Sequence, residues 1–158
     1  MSTARMSPYL NFTGQAAEAM ELYRSVFGGT VNAQTFGEFG MVESPEDADL
    51  VMHSQLDTAD GWTLMVSDLP QSMRGPADGQ AHRPICLWGD DEARLRGWWD
   101  GLSDGGTVHV PLEQAPWGDH FGQLADRFGV TWMFNVSPSL QETSDGAQVA
   151  PLHADASA

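Results

Sequence analysis

The chain contains an internal repeat, and this repeat restricts the possible folds more than any other feature of the sequence. Three short blocks of the first half recur in the same order in the second half. The paired blocks are residues 8–12 with 84–88, 28–31 with 105–108, and 55–65 with 123–133. Because three ordered matches rarely arise by chance, the sequence predicts two copies of one supersecondary unit.

Each copy has the pattern of a β-α-β-β-β module. A short apolar strand precedes an amphipathic helix, and three more strands follow. Thr13 is the predicted N-cap of the first helix and Gly28 its end, while Asp90 or Asp91 caps the second helix and Gly105 ends it. The predicted strands are 8–12, 31–37, 50–57, 62–67, 84–88, 107–113, 120–125 and 130–136.

The domain organisation follows from these elements. A linker without periodicity separates the modules, and a tail rich in Ser, Ala and Asp, predicted to be flexible, follows the second module. The fold class is therefore predicted to be α+β. The predicted segments are an N-terminal extension 1–7, a first module 8–68, a linker 69–83, a second module 84–136 and a C-terminal tail 137–158.

Alternation along the last strand of each module distinguishes the two faces of the sheet. Leu64 and Trp132 belong to apolar sets that a helix should cover, so Met65 and Met133 point to the opposite face. That face mixes polar and apolar groups, as ligand clefts do, although a half-wet surface or a dimer contact would have the same makeup. The predicted ligand-binding residues on or near it are His53, Gln55, Met65, Ser67, Cys86, Trp88, Trp117, Gln123 and Met133.

His53 is the candidate catalytic residue, because a neutral imidazole can transfer protons near pH 7. The alternative is a structural histidine satisfied by a neighbour. Cys86 is expected to be a packed strand cysteine rather than a nucleophile, and no Gly-rich phosphate loop is present. Three aspartates are close enough in sequence to orient His53, and two aspartates are expected to hold turns. The first group is Asp57, Asp60 and Asp68, and the second is Asp68 and Asp126.

Charge excludes several classes of partner. The chain has 22 Asp and Glu residues against seven Lys and Arg residues, a formal net charge of -15. Such a surface repels nucleic acid and anionic membranes and attracts cations, although it also serves solubility or salt adaptation. No apolar run is long enough to span a membrane, residues 1–7 contain no signal-peptide core, and one cysteine excludes an intrachain disulfide. We expect a cytoplasmic protein.

Taken together, these motifs resemble the vicinal oxygen chelate superfamily (glyoxalase, bleomycin resistance, dioxygenase), and more narrowly its PhnB-like branch with the 3-demethylubiquinone-9 3-methyltransferase-like domain. The resemblance covers residues 8–136. It implies two tandem β-α-β-β-β modules that form a curled mixed sheet around a cleft, and paired modules in a homodimer. The residues that carry it are 8–12, Ala19, Tyr23, 26–29, His53, 55–56, 65–68, 117–118, 121–122, Asp126, 128–129 and Trp132.

The resemblance also raises the question of a metal. Glyoxalase-type members place a ligand on the first and the last strand of each module, and the register puts these positions at Pro8, Met65, Pro84 and Met133. Proline offers no ligating side chain, and a thioether is a soft and weak donor. We therefore expect no metal and no other cofactor.

Two functions remain in competition. The first is a metal-free protein that binds a small organic molecule of cationic character in its cleft, as bleomycin-resistance relatives do. The second is a small-molecule enzyme of the same superfamily, a lyase, isomerase or dioxygenase, that uses His53 in proton transfer or an unrecognised metal site. In both cases the expected partners are a small-molecule ligand and a second copy of the chain, without nucleic acid or membrane.

Overall fold

The strands of the first half form a four-stranded sheet. In the computed structural model, which describes residues 3–75 and 83–137, its strand order is β1-β4-β3-β2, with β1 parallel to β4 and the other pairs antiparallel. The elements are β1 (Tyr9–Phe12), α1 (Ala16–Phe27), β2 (Thr30–Thr35), β3 (Val51–Asp57) and β4 (Thr63–Asp68).

The second half repeats this arrangement in a second four-stranded sheet of order β5-β8-β7-β6, with β5 parallel to β8. The predicted pair of β-α-β-β-β modules is thus confirmed, and the strand bounds differ from the predicted ones by no more than two residues. The elements are β5 (Ile85–Gly89), α2 (Glu92–Ser103), β6 (Thr107–Gln114), β7 (His120–Ala125) and β8 (Thr131–Val136).

Outside the helices and strands, the described residues form three short 3-10 turns. Single 3-10 turns lie at Gly37–Phe39 and Pro45–Asp47 in the loop after β2, and another lies at Gln71–Met73 in the linker. Residues 76–82 of the linker and 138–158 of the predicted tail lie outside the described residues. Within the described ranges, neither twelve-residue helix is long and apolar enough to cross a membrane.

A distant carboxylate caps α1, and the prediction of Thr13 as its N-cap is wrong. The N-cap position is Gln15, whose side chain makes no capping bond. Instead Asp68, at the end of β4, accepts hydrogen bonds from the backbone N–H groups of Gly14 (2.8 Å) and Ala16 (3.0 Å). This buried carboxylate therefore fixes the start of the helix to the last strand of the same sheet.

The other helix ends agree more closely with the sequence pattern. Asp91 caps α2 by accepting from the backbone N–H of Arg94 at 3.1 Å, as predicted. Gly28 ends α1 with a positive φ of 70°. α2 ends slightly earlier than expected, because Asp104 rather than Gly105 is its C-cap.

The repeated glycine pairs mark a close approach of two backbones. A Cβ atom on Gly29 would lie 2.2 Å from the carbonyl oxygen of Asp57, and a Cβ on Gly106 would lie 2.3 Å from that of Ala125. In each module this glycine leads into the second strand beside the end of the third. Only glycine fits there, which explains why this part of the repeat is preserved in both halves.

The two modules share one hydrophobic core. The rings of Tyr23 and Phe27 on α1 each lie 5.5 Å from Trp132 on β8, and Phe27 also lies 5.2 Å from Trp98 on α2. The helix-covered faces of both sheets therefore meet at the two helices. Because strand side chains alternate, the opposite faces of the two sheets point away from this core.

Candidate functional site

The predicted assignment of strand faces is confirmed by burial. Leu64 and Trp132 are buried on the helix side, while Met65 and Met133 are half-buried on the other side. We call the two uncovered surfaces the first open face (Tyr9, His53, Gln55, Met65) and the second open face (Cys86, Trp88, Gln123, Met133). Both carry the same central pair, because Gln55 lies opposite Met65 and Gln123 lies opposite Met133 in the antiparallel register.

Two polar contacts order the first open face. The hydroxyl of Tyr9 lies 3.2 Å from Nδ1 of His53, and the two rings are 5.8 Å apart. Asp57 accepts hydrogen bonds from Thr63 Oγ1 (2.8 Å) and Gln55 Nε2 (2.8 and 3.0 Å). These bonds, first from Thr63 and then from Gln55, lower the pKa of Asp57, so the carboxylate stays ionised and holds the Gln55 amide in place.

None of the three aspartates proposed to orient His53 does so in this structure. Asp57 is bonded to Gln55, Asp60 forms an ion pair with Arg94 at 2.7 Å, and Asp68 caps α1. The partner of His53 is Tyr9, which the sequence reasoning did not consider. The contact depends on the parallel pairing of β1 with β4, which sets Tyr9 beside Met65 and which sequence spacing does not determine.

The second open face is more aromatic and more exposed. Trp88 has 69% of its surface exposed, and Cys86, on the edge strand β5, lies beside Met133 of β8. Trp117, in the turn after β6, is 64% exposed, and its ring packs edge-on against Phe121 at 5.9 Å. Large exposed aromatic groups of this kind are typical of interaction surfaces.

Two of the predicted site residues are poorly suited to a chemical step. Ser67 is buried and donates a 2.9 Å hydrogen bond from Oγ to the side-chain oxygen of Asn11 on the neighbouring strand. Cys86 is exposed, so the prediction of a packed cysteine is wrong. Partial desolvation nevertheless raises the pKa of its thiol, which disfavours the nucleophilic thiolate. Neither side chain is therefore suited to a chemical step.

The predicted site residues form two groups rather than one. His53, Gln55, Met65 and Ser67 belong to the first sheet. The second group lies on or beside the second sheet and consists of Cys86, Trp88, Trp117, Gln123 and Met133. Because the shared core lies between the sheets, the two open faces of one chain are directed away from each other.

A cavity of about 440 Å³ lies at the junction of the two modules. It is enclosed by the β3–β4 hairpin on one side and by β5 and the first turns of α2 on the other. We call it the junction cavity. Trp62, Trp88 and Trp98 line it, together with Cys86; the first open face contributes none of its four residues.

The residues at the family's metal positions do not fit a metal ion. Met65 and Met133 offer thioethers, Pro8 and Pro84 offer no ligand, and the neighbouring strand positions hold Tyr9 and Cys86. Among the described residues, no three His, Cys, Asp or Glu side chains are placed to share one metal ion. The family's metal positions in this chain therefore offer no set of hard or borderline ligands.

Comparison with known proteins agrees with this architecture. Residues 5–134 match the family model of the Glyoxalase/Bleomycin resistance protein/Dioxygenase superfamily. The structure of protein PA1353 from Pseudomonas aeruginosa is 34% identical, covers 85% of this chain and 98% of its own, and superimposes with a TM-score of 0.70.

Two further proteins are similar to the chain. A Bacillus cereus structure described as a 3-demethylubiquinone-9 3-methyltransferase, PhnB protein, has a TM-score of 0.68 at 23% identity, over 85% of this chain and 100% of its own. Protein YjdN of Escherichia coli K12 is 27% identical over 144 residues, which are 83% of this chain and 94% of that protein. The resemblance predicted from the motifs is confirmed, and the chain belongs to the Glyoxalase/Bleomycin resistance protein/Dioxygenase superfamily.

Proposed function

We propose that the protein is a metal-free binding protein that takes up a small organic molecule of cationic character between open sheet faces. The observation that carries this proposal is the composition of the faces. Each has a flexible Met beside a Gln at its centre, fixed polar groups on the first face and exposed Trp on the second. A few positioned polar groups among apolar surface are typical of ligand sites.

The orientation of the faces supports a homodimer. Within one chain the two open faces point away from the shared core, so a cleft lined by both requires two chains. In a symmetric pair, the first open face of one chain stands opposite the second open face of its partner, which produces two equal clefts. The residues that sequence reasoning assigned to one site are then reunited across the interface.

Charge supports a cationic ligand. The chain carries a formal net charge of -15, and a field of this sign raises the local concentration of cations and repels nucleic acid and anionic lipid. Exposed Trp88 and Trp117 offer aromatic faces on which a cation is stabilised. A cytoplasmic location is part of this proposal.

Mixing two variants tests the cleft directly. Native mass spectrometry of untagged protein should give twice the chain mass of 17.1 kDa together with a co-purified small molecule. His53→Ala and Gln123→Ala, on opposite faces, should each lose this molecule, whereas His109→Ala, an exposed control on β6, should keep it.

A heterodimer of the two variants then contains one doubly impaired cleft and one intact cleft. We expect one bound molecule per heterodimer. A heterodimer without bound molecule, or a protein of single chain mass, contradicts the proposed arrangement.

A proton-transfer enzyme is the second candidate, and the Tyr9–His53 contact favours it. A phenol at 3.2 Å from an imidazole nitrogen can orient the ring for acid or base catalysis. If the co-purified molecule is chemically converted, Tyr9→Phe should lower the rate without loss of binding. If the wild type converts no molecule and Tyr9→Phe binds as the wild type does, only the binding function is supported.

A further inference from the structure

We propose that the junction cavity is a second binding site, separate from the first open face and bordered by Cys86 and Trp88 of the second, for a small aromatic cation. Its volume of about 440 Å³ lies within the range of small-molecule pockets, for which roughly 300–1,000 Å³ is usual. It is built from the hairpin of the first module and from β5 and α2 of the second, so both modules contribute to it.

The walls of the cavity are aromatic and fixed by packing. Trp62 and Trp98 pack edge-to-face at 6.2 Å, and Phe27 behind them contacts both rings at 5.0 and 5.2 Å. Trp88 adds a third indole at the opening. A rigid set of indole surfaces favours a flat ligand and loses little entropy when one binds.

The charges around these rings select a cation. Asp60, Asp90 and Asp91 line the cavity against a single Arg94, which leaves an excess of negative charge. The guanidinium of Arg94 lies 5.4 Å from the centre of the Trp98 ring and 2.7 Å from Asp60. The chain thus already places a flat cation between an aromatic ring and a carboxylate.

Arg94 is therefore an internal occupant of the cation position. Its side chain is 44% exposed, so it can leave this position without breaking buried contacts. A ligand with an amidinium or guanidinium group on an aromatic ring would displace it, pair with Asp60 and stack on Trp98. An anionic ligand would face the three carboxylates instead, and we expect it to be excluded.

Benzamidine tests the site, with neutral benzamide and anionic benzoate as matched probes. Calorimetric titration at low ionic strength should detect binding of benzamidine, much weaker binding of benzamide and no binding of benzoate. Asp60→Asn should lower the affinity for benzamidine by about fivefold, and Trp98→Leu should lower it by about tenfold, since each removes one cation contact. Binding of benzoate as tight as that of benzamidine overturns the proposal.

Arg94 provides the sharpest variant because its removal should improve binding. Arg94→Met should raise the affinity for benzamidine by about tenfold and leave the affinity for benzamide unchanged, since Asp60 and Trp98 lose their internal cation. Arg96→Met is the control, because it removes the same charge from the same helix. Arg96 does not line the cavity and forms a 2.8 Å ion pair with Glu92. If both variants changed benzamidine binding equally, the change would come from the net charge alone, and the proposal that Arg94 occupies the cation position would be refuted.

The outcome is independent of the first open face, which contributes no residue to the cavity. His53→Ala should leave benzamidine binding unchanged, because His53 does not line the junction cavity. Loss of benzamidine binding in His53→Ala would place the cation on the first open face and refute the second site. Melting temperatures of all variants separate a lost site from a lost fold.

Discussion

The hydroxyl of Tyr23 in the first module donates a 2.8 Å hydrogen bond to Asp126 in the second module. The same carboxylate accepts from the indole Nε1 of Trp132 at 2.9 Å and from the backbone N–H groups of Phe128 and Val130. All four bonds are made by a group that is almost fully buried. One aspartate therefore connects α1, the β7–β8 turn and β8 across the module boundary.

Removal of this hydroxyl should destabilise the protein. In Tyr23→Phe the buried Asp126 keeps three donors instead of four, and we expect the free energy of unfolding to fall by about 1–3 kcal/mol. Urea denaturation measures the change. Tyr9→Phe is the control, because Tyr9 is half exposed and its loss should cost no more than about 0.5 kcal/mol. Equal effects of both variants would contradict a special role for the Tyr23–Asp126 bond.

Tyr23 should also resist ionisation. Burial, followed by the charge of Asp126 and the hydrogen bond to it, raises the pKa of Tyr23 far above its usual range. The chain has two tyrosines, so Tyr23 is alone in the Tyr9→Phe variant. In that variant the tyrosinate absorbance should stay absent on alkaline titration until the protein unfolds.

The same shift makes stability depend on pH. The unfolded chain releases the tyrosine proton above about pH 10 while the folded chain retains it, so stability is lost as the pH rises beyond that value. Tyr23→Phe should reduce this alkaline loss. A tyrosinate signal that appears near pH 10 before any loss of structure would contradict the burial of the phenol.

Two glycines of α2 should respond in opposite directions to the same substitution. A Cβ on Gly101 would lie 2.7 Å from Cγ2 of Val26 on α1, whereas a Cβ on Gly97 meets nothing within 4 Å. Gly97→Ala should raise the free energy of unfolding by about 0.5–1 kcal/mol through helix propensity. Gly101→Ala should lower it by about 1 kcal/mol or more, because Val is branched and yields little space.

A double variant isolates the cause of that loss. In a Val26→Ala background the clash is absent, so Gly101→Ala should become stabilising, as Gly97→Ala is. Thermal denaturation of the four proteins completes the cycle. A loss that persists in the Val26→Ala background would assign it to something other than the contact between the helices.

We predict that the protein binds no stoichiometric divalent metal at the family's position. Met65 and Met133 there are soft donors that compete poorly for Zn²⁺, Ni²⁺, Mn²⁺ or Fe²⁺. Elemental analysis of untagged, dialysed protein should find less than one equivalent of each. One equivalent of any of them, lost in Met65→Ala, would contradict this assignment.

The sequence was sufficient to predict the two modules and the faces of their strands. Strict alternation in β8 puts Trp132 in the core and Met133 outside it, because a period of two leaves no other choice once one face is buried. The end of α1 at Gly28 could be predicted locally too, since it depends on a single residue with a positive φ.

The sequence was not sufficient to predict contacts between distant segments. The cap of α1 comes from Asp68, and the partner of His53 is Tyr9. Both depend on strand register, which sequence spacing does not determine. The meeting of the two modules through Tyr23 and Asp126 likewise depends on which helix faces are apposed, so neither the direction of the open faces nor the junction cavity was predictable.

The close backbone approaches at Gly29 and Gly106 limit how far the two halves of the chain can differ in sequence. The halves now differ at most positions. The glycine beside the end of the third strand could not change in either half, because any Cβ there would overlap a carbonyl oxygen. The similarity between the two halves is therefore required where the backbone leaves no room for a side chain.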